Sequence, residues 1–259
     1  MSEVNTIRRF DYRGWVIPAV MIVLWVLASK NQWIDPVILP AISEVGQNFV
    51  KAWHEGAIVQ NIIASVSLNA SGFFFGSIVG VIAGLVLGAI SLLDRFFSPT
   101  LNALKHVAVF AWIPILIMWF GHGDLAKTIF VSLVVFYPVF YNTYDGVKQV
   151  PPQILEVANI YQFGPIKRFV KVILPAAAPS IFAGLNIALV FSWLATIGAE
   201  YFFVAKAGVV NPILDGASIF DMAQIIYGMI VIGIVGLVFY SIAQYFEKRN
   251  LQWRQQGHK

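Results

Sequence analysis

The feature that most restricts this chain is a succession of long apolar runs, none of which has Asp, Glu, Lys or Arg at its middle. A bilayer core needs about 20 apolar residues to cross it as a helix, and it leaves no backbone polar group to be satisfied by water. Helices meet that demand, so the pattern predicts an all-α membrane protein of about six spans in a single domain, residues 1–259. The residues are 59% hydrophobic and only 12% charged, about half the charged share of soluble domains. The first run, Trp15 to Ser29, is short for a span, but Trp15 and Trp33 suit the two interfaces. A cleaved signal peptide competes for this stretch, because Val26 and Ala28 stand at cleavage-site spacing. The many apolar runs that follow favour an uncleaved span.

Further along, Ile38 to Trp53 has the pattern of an amphipathic surface helix after Pro40. Gly56 to Ala70 reads as an amphipathic helix leading into a span at Ser71–Leu93, which ends in a short turn at Asp94 and Arg95. Within that span Gly72, Gly76, Gly80, Gly84 and Gly88 recur every four residues and form a smooth ridge. Small residues let helices approach closely in lipid, either inside one subunit or along a dimer seam. A third span is expected from Asn102 to Phe120, broken by Pro114, and a fourth from Leu125 to Asn142, with Pro138 inside it. The fifth, Pro175 to Ala199, has Pro179 near its start and Glu200 at its end, where a carboxylate would face water. An outer loop through Lys206, Asn211, Pro212 and Asp215 leads to the sixth, Asp221 to Tyr245. Pro114, Pro138 and Pro179 would leave backbone groups unpaired, which is tolerable beside a water-filled route, so they and Glu200 are candidate pathway residues.

Between the fourth and fifth spans lies PPQILEVANIYQFGPIKRFVKVILP, Pro151 to Pro175. Proline fits the first turn of a helix, where a missing N–H costs nothing. Ile154, Val157, Ala158 and Tyr161 then recur at helical spacing. Gly164 is placed to supply a left-handed stop and Pro165 to open a second short helix carrying Lys167, Arg168 and Lys171. Two short helices joined by a Gly-Pro corner are expected at the membrane surface.

Glu156-Val157-Ala158, Gly164 and Val172-x-Leu174-Pro175 resemble the EAA loop of ABC importer permeases, with the family's nineteen-residue spacing from Glu156 to Pro175. Asn142 to Val147 and Val150-Pro151-Pro152 resemble the lead-in of the nitrate/sulfonate/taurine branch. The chain departs in having Val157 for alanine and Gln162 at the expected glycine, which would move the corner to Gly164. The resemblance covers roughly residues 59–250 and implies a type I ABC importer permease. It makes 151–175 a cytoplasmic coupling element, with Glu156, Val157, Ala158, Gly164, Leu174 and Pro175 in contact with a separate ATP-binding subunit. Two copies of that subunit would carry ATP and Mg, around a homodimer of this chain fed by a periplasmic or lipid-anchored solute-binding protein.

The charges accord with that orientation. With both termini in the cytoplasm of a bacterial inner membrane, Lys30, Lys51, Lys127 and Lys206 fall outside and the remaining thirteen of seventeen Lys and Arg fall inside. The same asymmetry accounts for the net charge of +4 without nucleic acid as a partner. Zero cysteines remove thiol chemistry and disulfides. His54, His106, His122 and His258 show no metal-ligand spacing, no catalytic set assembles, and no phosphate-binding G-x-x-x-x-G-K occurs. A transport subunit without bound cofactor or metal is therefore expected. The branch handles sulfonates such as taurine, nitrate, bicarbonate and some thiamine-precursor pyrimidines. Lys127, Lys206 and His122 on the outer side favour a small oxyanion, with a pyrimidine as the alternative solute and an ion-coupled secondary transporter as the alternative class.

Overall fold

The glycine ridge belongs to one unbroken helix. The computed structural model describes residues 13–104, 106–203 and 207–251. Arg8, Arg9, Lys105, Lys206, Arg254, His258 and Lys259 lie outside them. After α1 (Arg13–Lys30) and the surface helix α2 (Ile42–His54), α3 runs from Ala57 to Ala89. The separate amphipathic helix and span expected on either side of Ala70 are thus a single 33-residue helix, because nothing between Gly56 and Ala89 breaks the backbone ladder. Gly56, at φ 73°, starts it and an extended Ile90 ends it.

Asp94 and Arg95 are not in a turn but in α4 (Ser91–Leu104), where an acidic residue suits the first turn. The expected third span is broken well before Pro114. After a 3-10 turn at Val109–Trp112, α5 (Ile113–Phe120) is bent by 95° from α4. Pro114 stands in the first turn of α5, where it kinks nothing, and it is exposed.

Next come α6 (Asp124–Lys148), α7 (Pro152–Ile160) and α8 (Pro165–Arg168). Through a π-type turn at Phe169–Ile173, α8 continues into α9 (Leu174–Phe202). The expected outer loop contains a short helix, α10 (Asn211–Ile219), with Pro212 in its first turn. The chain then enters α11 (Met222–Leu251). Among the described residues, 57–89, 124–148, 165–202 and 222–245 are long and apolar enough to cross a bilayer. The bent α4–α5 pair makes a fifth candidate, and α1 is shorter.

The core is a stack in which α6 lies between α3 and α9. A Cβ added at Gly72 would sit 2.5 Å from Val131 Cβ, at Gly80 3.0 Å from Val139, at Gly84 2.6 Å from Thr143 and at Gly88 2.8 Å from Val147. The same would happen at Gly76, with Val135 Cβ at 2.8 Å. α6 therefore covers the ridge within the subunit, and no dimer seam can use that face. On its other side α6 meets α9 through Gly146, set against Ser180, and Gly184, set against Asn142 and the Pro138 carbonyl. Pro138 thus lies in the α6–α9 contact, half-buried, and Asn142 Nδ2 donates to its carbonyl at 2.8 Å. Pro179 is half-buried near the start of α9. A second cluster joins α2, α11 and residues 209–210, with Trp193 stacked on Phe239 at 4.9 Å.

Gly84→Leu would force its side chain into Thr143 and the Phe140 carbonyl. Overpacking of this kind costs about 1–3 kcal/mol, so the variant should melt at lower temperature in detergent while Gly46→Leu, in open space, should not.

Candidate functional site

The end of the bundle that carries residues 151–173 is built on backbone chemistry. Pro151 and Pro152 open α7. It ends in a closed cap: Gln162 N–H donates to the Asn159 carbonyl at 2.9 Å and Phe163 N–H to the Ala158 carbonyl at 3.0 Å. That pairing needs a left-handed residue just after the helix, and the residue in that conformation is Gln162, φ 50°. Gly164 is extended instead, at φ −60° and ψ 161°, and caps α8. The left-handed stop expected at Gly164 is therefore corrected: the corner stays where the family has its glycine, and glutamine takes on the strained conformation. Arg168 Nη1 donates to Asn159 Oδ1 at 3.3 Å across the corner, and the Lys167 ammonium lies 4.4 Å from the centre of the Phe163 ring.

The candidate residues of this element divide by exposure. Glu156 and Val157 face outward on α7, whereas Ala158 is buried, 2% exposed. Leu174 is half-buried and Pro175 exposed in the first turn of α9. Around them Ile160, Tyr161 and Ile166 are 79%, 70% and 82% exposed. This apolar surface stands beside lysines and a carboxylate, on the segment that joins α6 to α9. The element is strung between α6 and α9 and held firmly at the α6 side. Asp94 on α4 accepts from Lys148 Nζ and Tyr144 OH, both at 2.7 Å, and from Ser98 OH. The sequence gives no sign of this anchor, since Tyr144 and Lys148 are some fifty positions from Asp94.

At the opposite end Glu200 departs from expectation. It does not face water but is 1% exposed. Its carboxylate accepts from Ser65 OH and from Val210 N–H at 3.2 Å. Ser65 Oγ in turn accepts from Val209 N–H at 2.9 Å, and Asn61 Oδ1 from Gly208 N–H at 3.1 Å. A Cβ at Gly208 would strike the Glu200 carboxylate, so only glycine lets the segment 207–210 lie on it. Burial of the charge is tolerable because these donors replace water. Lys127 is likewise buried, 4% exposed, and pairs with Asp124 at 2.9 Å. It shares a polar cavity of about 260 Å³ with Glu200 and Thr128, so it is not an open anion attractor. Deeper in the core Asn69 donates to Ser192 Oγ at 3.0 Å and Thr196 Oγ1 at 3.1 Å.

The long apolar helices and their close packing are those of a multi-pass membrane protein, with a two-helix element at one end of the bundle. Residues 76–252 match the family described as binding-protein-dependent transport system inner membrane component, and the chain belongs to that family of ABC importer permeases. It is 30% identical over 244 residues to a protein of Escherichia coli named for aliphatic sulfonates transport, the permease SsuC, covering 94% of this chain and 92% of that one. It is 29% identical over 266 residues to the bicarbonate transport system permease protein CmpB of Synechocystis, covering 94% and 92%. Among solved structures, the MetNI methionine ABC transporter in inward-facing conformations shares the fold at a TM-score of 0.63, with 15% identity over 75% of this chain and 96% of that one. The relatives are named as transport permeases, and this chain is a transport subunit rather than an enzyme.

Two consequences are measurable. A left-handed non-glycine residue costs about 1 kcal/mol or more, so Gln162→Gly should raise the melting temperature slightly. Glu200→Ala would leave the buried Val210 N–H unpaired, a loss of about 1–3 kcal/mol, while Ser65 keeps the Asn61 carbonyl as acceptor. Faster amide exchange at Val209 and Val210 should accompany it, with Glu200→Gln affected less.

Proposed function

We propose that this chain forms the translocation pathway of an ATP-driven importer for a small oxyanion, first of all a sulfonate such as taurine or an alkanesulfonate, with nitrate and bicarbonate as further solutes. The observation that carries the mechanism is the outward apolar face of Ile160, Tyr161 and Ile166, on an element anchored to both α6 and α9. A groove on a cytoplasmic ATP-binding subunit takes that face, and Glu156, one turn before Ile160, contributes the polar contact. Ala158 and Gly164 shape the fit, and Leu174 and Pro175 pass the motion into α9. When two such subunits close on ATP and Mg, they move α7 and α8 as a rigid body, and α6 and α9 tilt with them.

Two copies of the chain around a two-fold axis enclose the pathway. A solute-binding protein outside the cell delivers the solute, and its docking and nucleotide binding each shift the equilibrium between outward and inward access. Lys148, Lys167, Arg168 and Lys171 at the α7–α8 end support placing that end, and both termini, in the cytoplasm. The relatives named for sulfonates and bicarbonate support an oxyanion. The buried Glu200 and Lys127 are already paired inside the subunit, which argues against an ion-coupled carrier.

Glu156→Lys should leave the protein in the membrane with its partner's ATP hydrolysis intact but no longer linked to uptake. Uptake at the unmodified rate would refute the role given to Glu156.

A further inference from the structure

At the end of the bundle opposite the two-helix element, a polar cavity of about 220 Å³ lies between α2, the start of α3, α10 and the start of α11. Lys51, Glu55, Asn61, Asp215, Gln224 and Tyr227 supply its polar lining. It differs from the cavity of Lys127 and Glu200, where both charges already have partners.

Tyr227 belongs to the core that joins α2 to α11 and is only 6% exposed. Its hydroxyl has no hydrogen-bond partner among the described residues, and a polar group held away from bulk water costs stability until something pairs with it. Asn61 spends its oxygen on the Gly208 N–H at 3.1 Å, so its amide nitrogen is left to donate. Lys51 stands in the last turn of α2 and Glu55 caps that helix, at the four-residue spacing where opposite charges meet. Yet neither of them, nor Asp215 on α10, is in an ion pair among the described residues. One ammonium and two carboxylates thus border a single cavity with their charges uncommitted. A simple anion there would meet both carboxylates, and a simple cation would meet the ammonium. A molecule carrying both signs finds an opposite charge for each end.

We propose that this cavity binds a small zwitterion, an ammonium joined by a short chain to a sulfonate, carboxylate or phosphate group. The ammonium lies between Glu55 and Asp215. The anionic group takes donors from Lys51, the Asn61 amide and the Tyr227 hydroxyl. Drug-sized ligands need pockets of roughly 300 Å³ or more, so the smaller volume here suits a molecule of this kind. A free amino acid or aminosulfonate and the head group of an aminophospholipid share the chemistry. Either would bridge α2 to α10 and α11. The site does not rest on the importer reading above.

Titration of the full chain in lipid-free detergent with taurine, ethanesulfonate and ethylamine, followed by calorimetry, tests this. Taurine should bind at least about tenfold more tightly than either single-charge probe, as expected when a charged hydrogen-bonded contact is lost. Lys51→Gln should turn the preference to ethylamine, and Glu55→Gln with Asp215→Asn should turn it to ethanesulfonate. Tyr227→Phe should weaken taurine severalfold at an unchanged melting temperature, because the hydroxyl bonds nothing within the chain. No binding at millimolar taurine would leave the cavity to water and overturn the proposal. Equal affinity for the three probes would overturn it too, and so would taurine binding that these substitutions leave untouched, which belongs to another site. In nanodiscs, weaker taurine binding with phosphatidylethanolamine than with phosphatidylglycerol would support the site and identify a lipid head group as its occupant. Equal taurine binding in the two lipids would support a free solute.

Discussion

Everything in this bundle depends on how closely α6 approaches its two neighbours. In lipid, apolar surface gains nothing by leaving one hydrocarbon environment for another, so helices are held by dispersion over short distances and by the hydrogen bonds between them. Five glycines of α3 admit Val131, Val135, Val139, Thr143 and Val147 of α6 where a Cβ would collide. Gly146 and Gly184 do the same between α6 and α9. The result is a three-helix slab without slack. Residues 151–173 join its second and third helices.

Polar groups fix the two ends of the slab. Asp94 ties α4 to the end of α6 through two donors, Tyr144 and Lys148, beside the two-helix element. Glu200 ties the segment 207–210 to α3 and α9 at the far end. Between them Asn69 links α3 to α9 in the apolar interior. Such polar contacts specify one arrangement of the helices more than they strengthen it.

Much of this was legible in the chain. The four-residue glycine spacing required a close helix neighbour, the prolines marked the first turns of α7 and α8, and Glu156 to Pro175 carried the family spacing. What escaped reading was set by contacts far apart in sequence or by backbone conformation. Glu200 looks like an interfacial carboxylate until Ser65, on another helix, and Gly208 and Val210 close over it. Pro114 looks like a kink, yet the chain had already turned before it reached that residue. Gly164 looks like the left-handed residue because glycine adopts that conformation at no cost, yet the hydrogen bonds at the end of α7 hold Gln162 there instead. The polarity of α3 changes near Ala70 and suggests two elements, although its backbone is continuous from Ala57 to Ala89.

In the function proposed above, the chain is a passive bundle worked from outside itself through α7 and α8. Solute uptake in proteoliposomes, with and without the ATP-binding partner, tests this most directly. Accumulation against a gradient should require the partner and ATP together and should be indifferent to imposed ion gradients. Uphill accumulation by the purified chain alone would contradict it.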